Sequence, residues 1–296
     1  YPSPLSKFRA YTDQTNLKHV NLFEVDGVEK DQFVRLATMD YFDGTVWNVT
    51  GGAGSANASG TFTRLPAYSV SSEAQPVTVT IENLAGVWVP SVGTSEHIEV
   101  HESTGRLSEQ TTKVLHNAST GTVAQVGGLS PGLTYRYKSV LPAQPSEDEI
   151  AAAVQDSNIS LEMPRGVPEN LDELVKTWLN ESGGTGTAGA QAQYLTKMFT
   201  QGFYSDGNQG EFPSLSGHGL KRLSDLTATP SEMVGNDEQY AAALGLALQH
   251  LSVPARVVVG AKVPASGVVQ GKHVEARVEV NLDGLGWVMM SPTPDE

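Results

Sequence analysis

Apolar and polar residues alternate through much of the first half of the chain. Val77-Thr78-Val79-Thr80-Ile81-Glu82 shows the pattern, and Tyr135-Arg136-Tyr137-Lys138-Ser139 sets aromatic against basic residues in the same way. A period of two marks half-buried strands. Turn signals separate these runs at Asp43-Gly44, Gly51-Gly52, Gly127-Gly128 and Ser130-Pro131-Gly132, and the Gly-, Ala- and Ser-rich stretch from Gly51 to Gly60 reads as a loop. Short strands at such spacing predict an antiparallel β-sandwich-like or barrel domain over residues 1–142.

The period changes after Pro142-Ala143-Gln144-Pro145-Ser146. Ser146-Glu147-Asp148-Glu149 has the capping-box form and leads into an alanine-rich run. Further helices are expected over Pro168–Leu179, Ala190–Phe199 and Asp237–Leu251. In the last of these Tyr240, Ala243, Leu244, Ala247, Leu248 and Leu251 share one face, which predicts one-sided burial. Strands are expected over Ala255–Val259, Val274–Leu282 and Trp287–Met290. The class is therefore α+β, with a β-rich domain over 1–142 and a mixed domain over 143–296.

Charge and composition narrow the chemistry. Lys and Arg total 19 against 33 Asp and Glu, a formal net charge of −14, which leaves no basic footprint for nucleic acid. Cysteine is absent, so no disulfide, thiolate metal site or cysteine nucleophile can form. No run nears the roughly 18 apolar residues that span a bilayer. The chain opens at Tyr1 rather than Met and reads as a piece of something longer.

Several motifs look catalytic and fail on context. Gly184-Thr185-Gly186-Thr187-Ala188-Gly189 has the dinucleotide GxGxxG spacing, but it follows a helix where that motif needs a strand. Gly128-Leu129-Ser130-Pro131-Gly132 has nucleophile-elbow spacing. There the residue after the serine must donate its N–H to an oxyanion, and Pro131 has none. His97 and His101 lie on a predicted strand, where four residues span about 13 Å, too far to share one ion. The Asn-x-Ser/Thr triplets at Asn48, Asn57, Asn117, Asn158 and Asn180 matter only in a eukaryotic secretory protein, and nothing else points there.

Four segments in order carry a resemblance. Gly235-Asn236-Asp237-Glu238-Gln239-Tyr240-Ala241-Ala242-Ala243, Val253-Pro254-Ala255-Arg256-Val257-Val258-Val259-Gly260, Glu275-Ala276-Arg277-Val278-Glu279-Val280 and Gly286-Trp287-Val288-Met289-Met290-Ser291-Pro292-Thr293-Pro294 are similar to segments of the bacterial transglutaminase-like superfamily. The lead-in from Leu161-Glu162-Met163-Pro164 to Phe203-Tyr204-Ser205 fits too, giving a core over 161–294. The resemblance implies a papain-like domain with a central helix packed on an antiparallel sheet. The first half, through Arg35–Trp47 and Gly86-Val87-Trp88-Val89-Pro90, resembles the extracytoplasmic region of membrane-embedded transglutaminase-like proteins, particularly actinobacterial ones. That likeness implies a location outside the cytoplasmic membrane, with membrane attachment through segments outside this sequence.

In that family a cysteine at the start of the long helix attacks an acyl group, a histidine moves the proton and an aspartate orients the histidine. Matched position by position, this chain offers Asp237, Glu275 and Ser291. No catalytic residue, cofactor or metal ligand is therefore expected, and the implied protein is an inactive binding or scaffolding module for an envelope protein or cell-wall component. Each residue also has a plain role: Asp237 favours a helix N-terminus, Glu275 shares a polar strand face with His273, Arg277 and Glu279, and Ser291 shapes a turn. His218 is a loop histidine whose partner the sequence does not give. The alternative is a hydrolase using an Asp237/Glu275 carboxylate pair, one as acid and one as base. A Ca²⁺ site at the same pair is a third reading, without EF-hand spacing to support it.

Overall fold

The computed structural model describes residues 3–50, 59–64, 71–142, 144–183 and 186–296. Most of the predicted Gly51–Gly60 loop, with Asn57, therefore lies outside the described residues, as do Gly184 and Thr185 of the glycine motif.

After a short helix α1 (Phe8–Thr12), the alternating runs form strands β1 (Asn21–Asp26), β2 (Phe33–Met39), β3 (Tyr41–Phe42), β4 (Trp47–Asn48), β5 (Gln75–Ile81), β6 (Trp88–Val89), β7 (Thr94–His101), β8 (Val114–Asn117), β9 (Thr122–Gln125) and β10 (Thr134–Val140). Val77, Val79 and Ile81 of β5 point into the core while the threonines between them are half-buried. The antiparallel ladder β1–β5–β10–β7 packs on a smaller sheet, β6–β9–β8. Tyr135 and Tyr137 of β10 reach across, their hydroxyls donating to Gln125 Oε1 and the Pro90 carbonyl at 3.2 Å.

The second half begins with α2 (Glu147–Ala152), whose Ser146/Glu149 capping box forms as predicted. It continues through α3 (Glu169–Glu181), α4 (Ala188–Phe199), β11 (Phe203–Tyr204), α5 (Leu220–Thr227), β12 (Val234–Gly235), α6 (Asp237–His250), β13 (Ala255–Lys262), β14 (Val268–Gln270), β15 (Val274–Leu282) and β16 (Gly286–Met290). Helix α6 packs on β13 and β15, and Trp178, Phe199 and Tyr240 meet edge to face beside it, with centroids 5.1 and 6.4 Å apart. Burial of α6 is more complete than its apolar face implies. Every residue from Asp237 to Gln249 is buried, because the loop before α5, strand β4 and the other helices cover its polar first turn.

The glycine motif has a packing role. Thr187 caps α4, and Gly189 lies so close to the end of α2 that a Cβ there would meet the Ile150 carbonyl oxygen at 1.8 Å. The Gly189 N–H donates to the Ala153 carbonyl at 3.0 Å. The segment thus joins two helices at close range and has no strand before it. Gly128–Gly132 is likewise a turn between β9 and β10, with both flanking glycines at positive φ.

The expected division into residues 1–142 and 143–296 does not coincide with sheet membership. Strand β2 completes the sheet β16–β15–β13–β2, while β14 pairs with β1 at the edge of the N-terminal sheet. Alternation identifies a strand but not its partner. Strand β2, with four consecutive buried residues from Leu36 to Met39, is the edge strand of that sheet, and only long-range contact could assign it there.

Candidate functional site

Asp237 is the first residue of α6, the position where the dipole and free N–H groups favour a carboxylate. Asn236 caps the helix, its Oδ1 accepting from the Glu238 N–H at 3.1 Å, and Gln239 Oε1 accepts the Asn236 N–H at 3.0 Å. The Asn236 amide donates to Asp206 Oδ1 at 2.9 Å, and the Tyr204 hydroxyl donates to the same oxygen at 3.0 Å. Lys18 Nζ lies 3.5 Å from Asp206 Oδ2. The helix start is therefore held by side chains from α6, the segment after β11 and the N-terminal half.

A polar cavity of about 310 Å³ opens at this point, with Asp237, Glu275, Ser291, Thr293, Tyr204 and Asp206 among its lining residues. The three positions singled out in the sequence thus converge, although they come from a helix, a strand and the segment after β16. Asp237 is 8% exposed. Burial, and then the nearby Glu275 charge, push its carboxyl up to about 7, against a hydrogen bond from the Thr293 hydroxyl at 3.1 Å. Tyr204 is also pushed upward, by burial and then by the Asp237 and Asp206 charges.

Glu275 is committed elsewhere. Its Oε2 accepts from Arg277 Nε at 2.8 Å and from a terminal Arg277 nitrogen at 2.6 Å. Ser291 makes no side-chain hydrogen bond among the described residues. His273 departs from its expected strand position: it sits in the 3₁₀ turn Gly271–His273 ahead of β15, where its Nδ1 accepts the Gln270 N–H. Burial and the neighbouring Lys272 charge hold its pKa down. Arg277 and Glu279 do share the polar strand face with Glu275, but Glu279 is buried and paired with Arg256 and Arg35.

Other sequence candidates take structural places. His218 is fully buried; its Nδ1 lies 2.9 Å from Glu238 Oε1, and its Nε2 accepts the Trp47 N–H at 3.0 Å. Since a backbone N–H can only donate, the proton belongs on Nδ1 and the imidazole ties β4 to α6. His97 and His101 both lie on β7, as predicted. The irregular backbone at His97 (φ 49°) nevertheless brings both rings to the carboxylate of Glu99, at 3.3 and 3.1 Å, so the extended-strand spacing did not anticipate this shared partner. Among the described residues no group of three His, Asp or Glu side chains is arranged to hold a metal ion.

Tyr204, Asp206 and Thr293 were not singled out in the sequence. Asp206 follows the Phe203-Tyr204-Ser205 lead-in, which is the nearest signal, but its bond to Asn236 spans 30 positions.

A buried helix that offers its first turn to a cavity, packed on an antiparallel sheet, is the frame of a transglutaminase-like domain. Residues 181–292 match the model of the transglutaminase-like superfamily, and the chain carries a domain of that superfamily. Residues 13–146 match the TgpA N-terminal domain. Two crystal structures of the periplasmic domain of TgpA from Pseudomonas aeruginosa share the fold at 15% identity. One aligns with a TM-score of 0.62 over 98% of this chain and 90% of its own. The other, bound to ethylmercury, aligns with a TM-score of 0.60 over 97% of this chain and 92% of its own. Comparison with curated proteins gives no match.

Proposed function

We propose that the protein is a non-catalytic transglutaminase-like module that binds an envelope protein or cell-wall component outside the cytoplasmic membrane. The cavity at the head of α6 carries the reading: Asp237, Glu275 and Ser291 meet there, and the chain has no cysteine. In this reading the three residues stand where active relatives carry a thiol, an imidazole and an aspartate. A carboxyl is a far weaker nucleophile toward an amide than a thiolate. Glu275, bound by Arg277, is poorly placed to shuttle a proton. What remains is a polar recess with a half-ionised acid near neutral pH, suited to hydrogen bonding with a ligand.

The extracytoplasmic location is supported by the likeness to the periplasmic TgpA domain. Membrane attachment through segments outside this sequence rests on the resemblance of the first half to membrane-embedded relatives. Among the described residues no helix is long and apolar enough to cross a membrane.

The test is incubation of the purified chain with amide donors, amine acceptors and cell-wall peptides. No product above a no-protein control is expected. Turnover that disappears in Asp237→Ala would overturn the reading and return the carboxylate pair to the role of a hydrolase.

A further inference from the structure

The polar face of the C-terminal sheet and the N-terminal half enclose a second cleft of about 490 Å³, separate from the α6 cavity except that Arg277 lines both. Its size and its place between two halves are typical of small-molecule sites. Arg35 and Arg277 reach it, and a third guanidinium, Arg256, lies beneath Trp287 with 3.7 Å between Cζ and the ring centroid. Three guanidiniums here meet two carboxylates. Glu279 serves both Arg35 and Arg256, and Glu275 serves Arg277. Asp40, outside the cleft lining, is taken up by the Thr50 and Ser59 hydroxyls and the Ser59 N–H, whereas Glu29 and Asp31 stand at the cleft rim.

These cations are fixed in place but not saturated. Arg35 commits its terminal nitrogens to Thr38 and Glu279, and Arg277 commits Nε and Nη2 to Glu275. Arg35 Nε and Arg277 Nη1 have no partner among the described residues. Arg277 is further held over the Phe33 ring, 4.6 Å from its centroid. That ring lies across Gly260, where a Cβ would come within 2.4 Å of Phe33 Cζ. Guanidiniums locked in this way offer planar donors at little entropic cost. Trp287 and Met289 add an apolar wall. At the rim, Asp31 is paired with Lys30 and Lys262 at 3.7 Å, whereas exposed Glu29 has no ion pair among the described residues and disfavours ligands of high negative charge.

We propose that this cleft binds a small organic anion, with its carboxylate or phosphate on the free N–H groups of Arg277 and Arg35 and its apolar body against Trp287 and Met289. The cleft shares Arg277 with the α6 cavity, but its ligand needs neither Asp237 nor Ser291.

Calorimetric titration of the whole chain with benzoate, phenyl phosphate and benzylammonium tests the assignment. At least one anion binds with a dissociation constant in the millimolar range or below, roughly the affinity expected of a fragment. The tighter anion reports which headgroup the site prefers. Benzylammonium does not bind, added NaCl weakens the anion, and Trp287→Ala or Arg277→Gln weakens it about tenfold or more. Asp237→Asn, which alters the α6 cavity, leaves the affinity unchanged. If Arg277→Gln fails to fold by circular dichroism, Arg277→Lys replaces it: keeping the charge but losing the planar donors weakens binding. The assignment is overturned if neither anion binds, if benzylammonium binds as well as they do, or if both Trp287→Ala and the Arg277 variant leave affinity untouched.

Discussion

At the scale of single residues, two buried carboxyls respond to their surroundings in opposite ways. Asp237 has its pKa raised from 3.8 to about 7 on folding. An acid shifted upward binds its proton more tightly in the folded state, so its charge costs stability as pH rises from about 4 through 7. Asp237→Asn removes that cost and is expected to stabilise the protein by about 1–3 kcal/mol at pH 8 and by almost nothing near pH 3, below both pKa values. Thermal melts of both proteins at the two pH values check this; an equal shift at both would contradict it. Burial pushes Glu279 upward as well, but the charges and hydrogen bonds of Arg256 and Arg35 overcome it and hold the carboxyl at about 2. Arg256 is itself lowered to about 10 by the same burial. Glu279 therefore supports the fold above about pH 4.5 and loses that contribution as pH falls toward 2. Glu279→Ala leaves Arg256 buried, and Arg35 partly buried, without a counter-charge and is expected to cost about 3–5 kcal/mol in urea unfolding at pH 7. A cost near zero would mean that solvent already screens the group.

At the scale of elements, close approach rather than composition sets the tolerance of α4. Because a Cβ on Gly189 would lie 1.8 Å from a backbone oxygen, Gly189→Ala must push α2 and α4 apart. Alanine is ordinarily the better helix residue by about 1 kcal/mol. Here the exchange is expected to destabilise by about 1–3 kcal/mol, and a rise in the melting midpoint would show that the helices can separate freely. The elements themselves were largely legible from periodicity. Strand β15 has its predicted bounds, and α6 ends one residue short of them. Asp237, Glu275 and Ser291 could be brought together because each falls in a segment with recognisable order. The burial of Glu238 was not legible, since its partner His218 sits 20 positions earlier in a loop without periodicity. Nor was the grip of Arg277 on Glu275: an alternating polar strand face looks the same whether it is solvated or paired.

At the scale of the whole molecule, the halves share their sheets. Residues 143–296 alone would leave the β13 edge open where β2 belongs, and would also lose the Arg35 contact with Glu279. That fragment is expected to aggregate or lack fixed tertiary structure, which near-ultraviolet circular dichroism and light scattering would reveal. The intact chain is expected to melt in one calorimetric transition; two resolved transitions would contradict the shared-sheet account. The reciprocal placement of β2 and β14 also bears on inheritance. A recombination junction near residue 142 would hand each descendant a sheet short of a strand, so a productive shuffle has to carry both halves together. Variation is thereby channelled into loops and cleft walls, where new binding preferences can arise while the interlaced frame passes on whole.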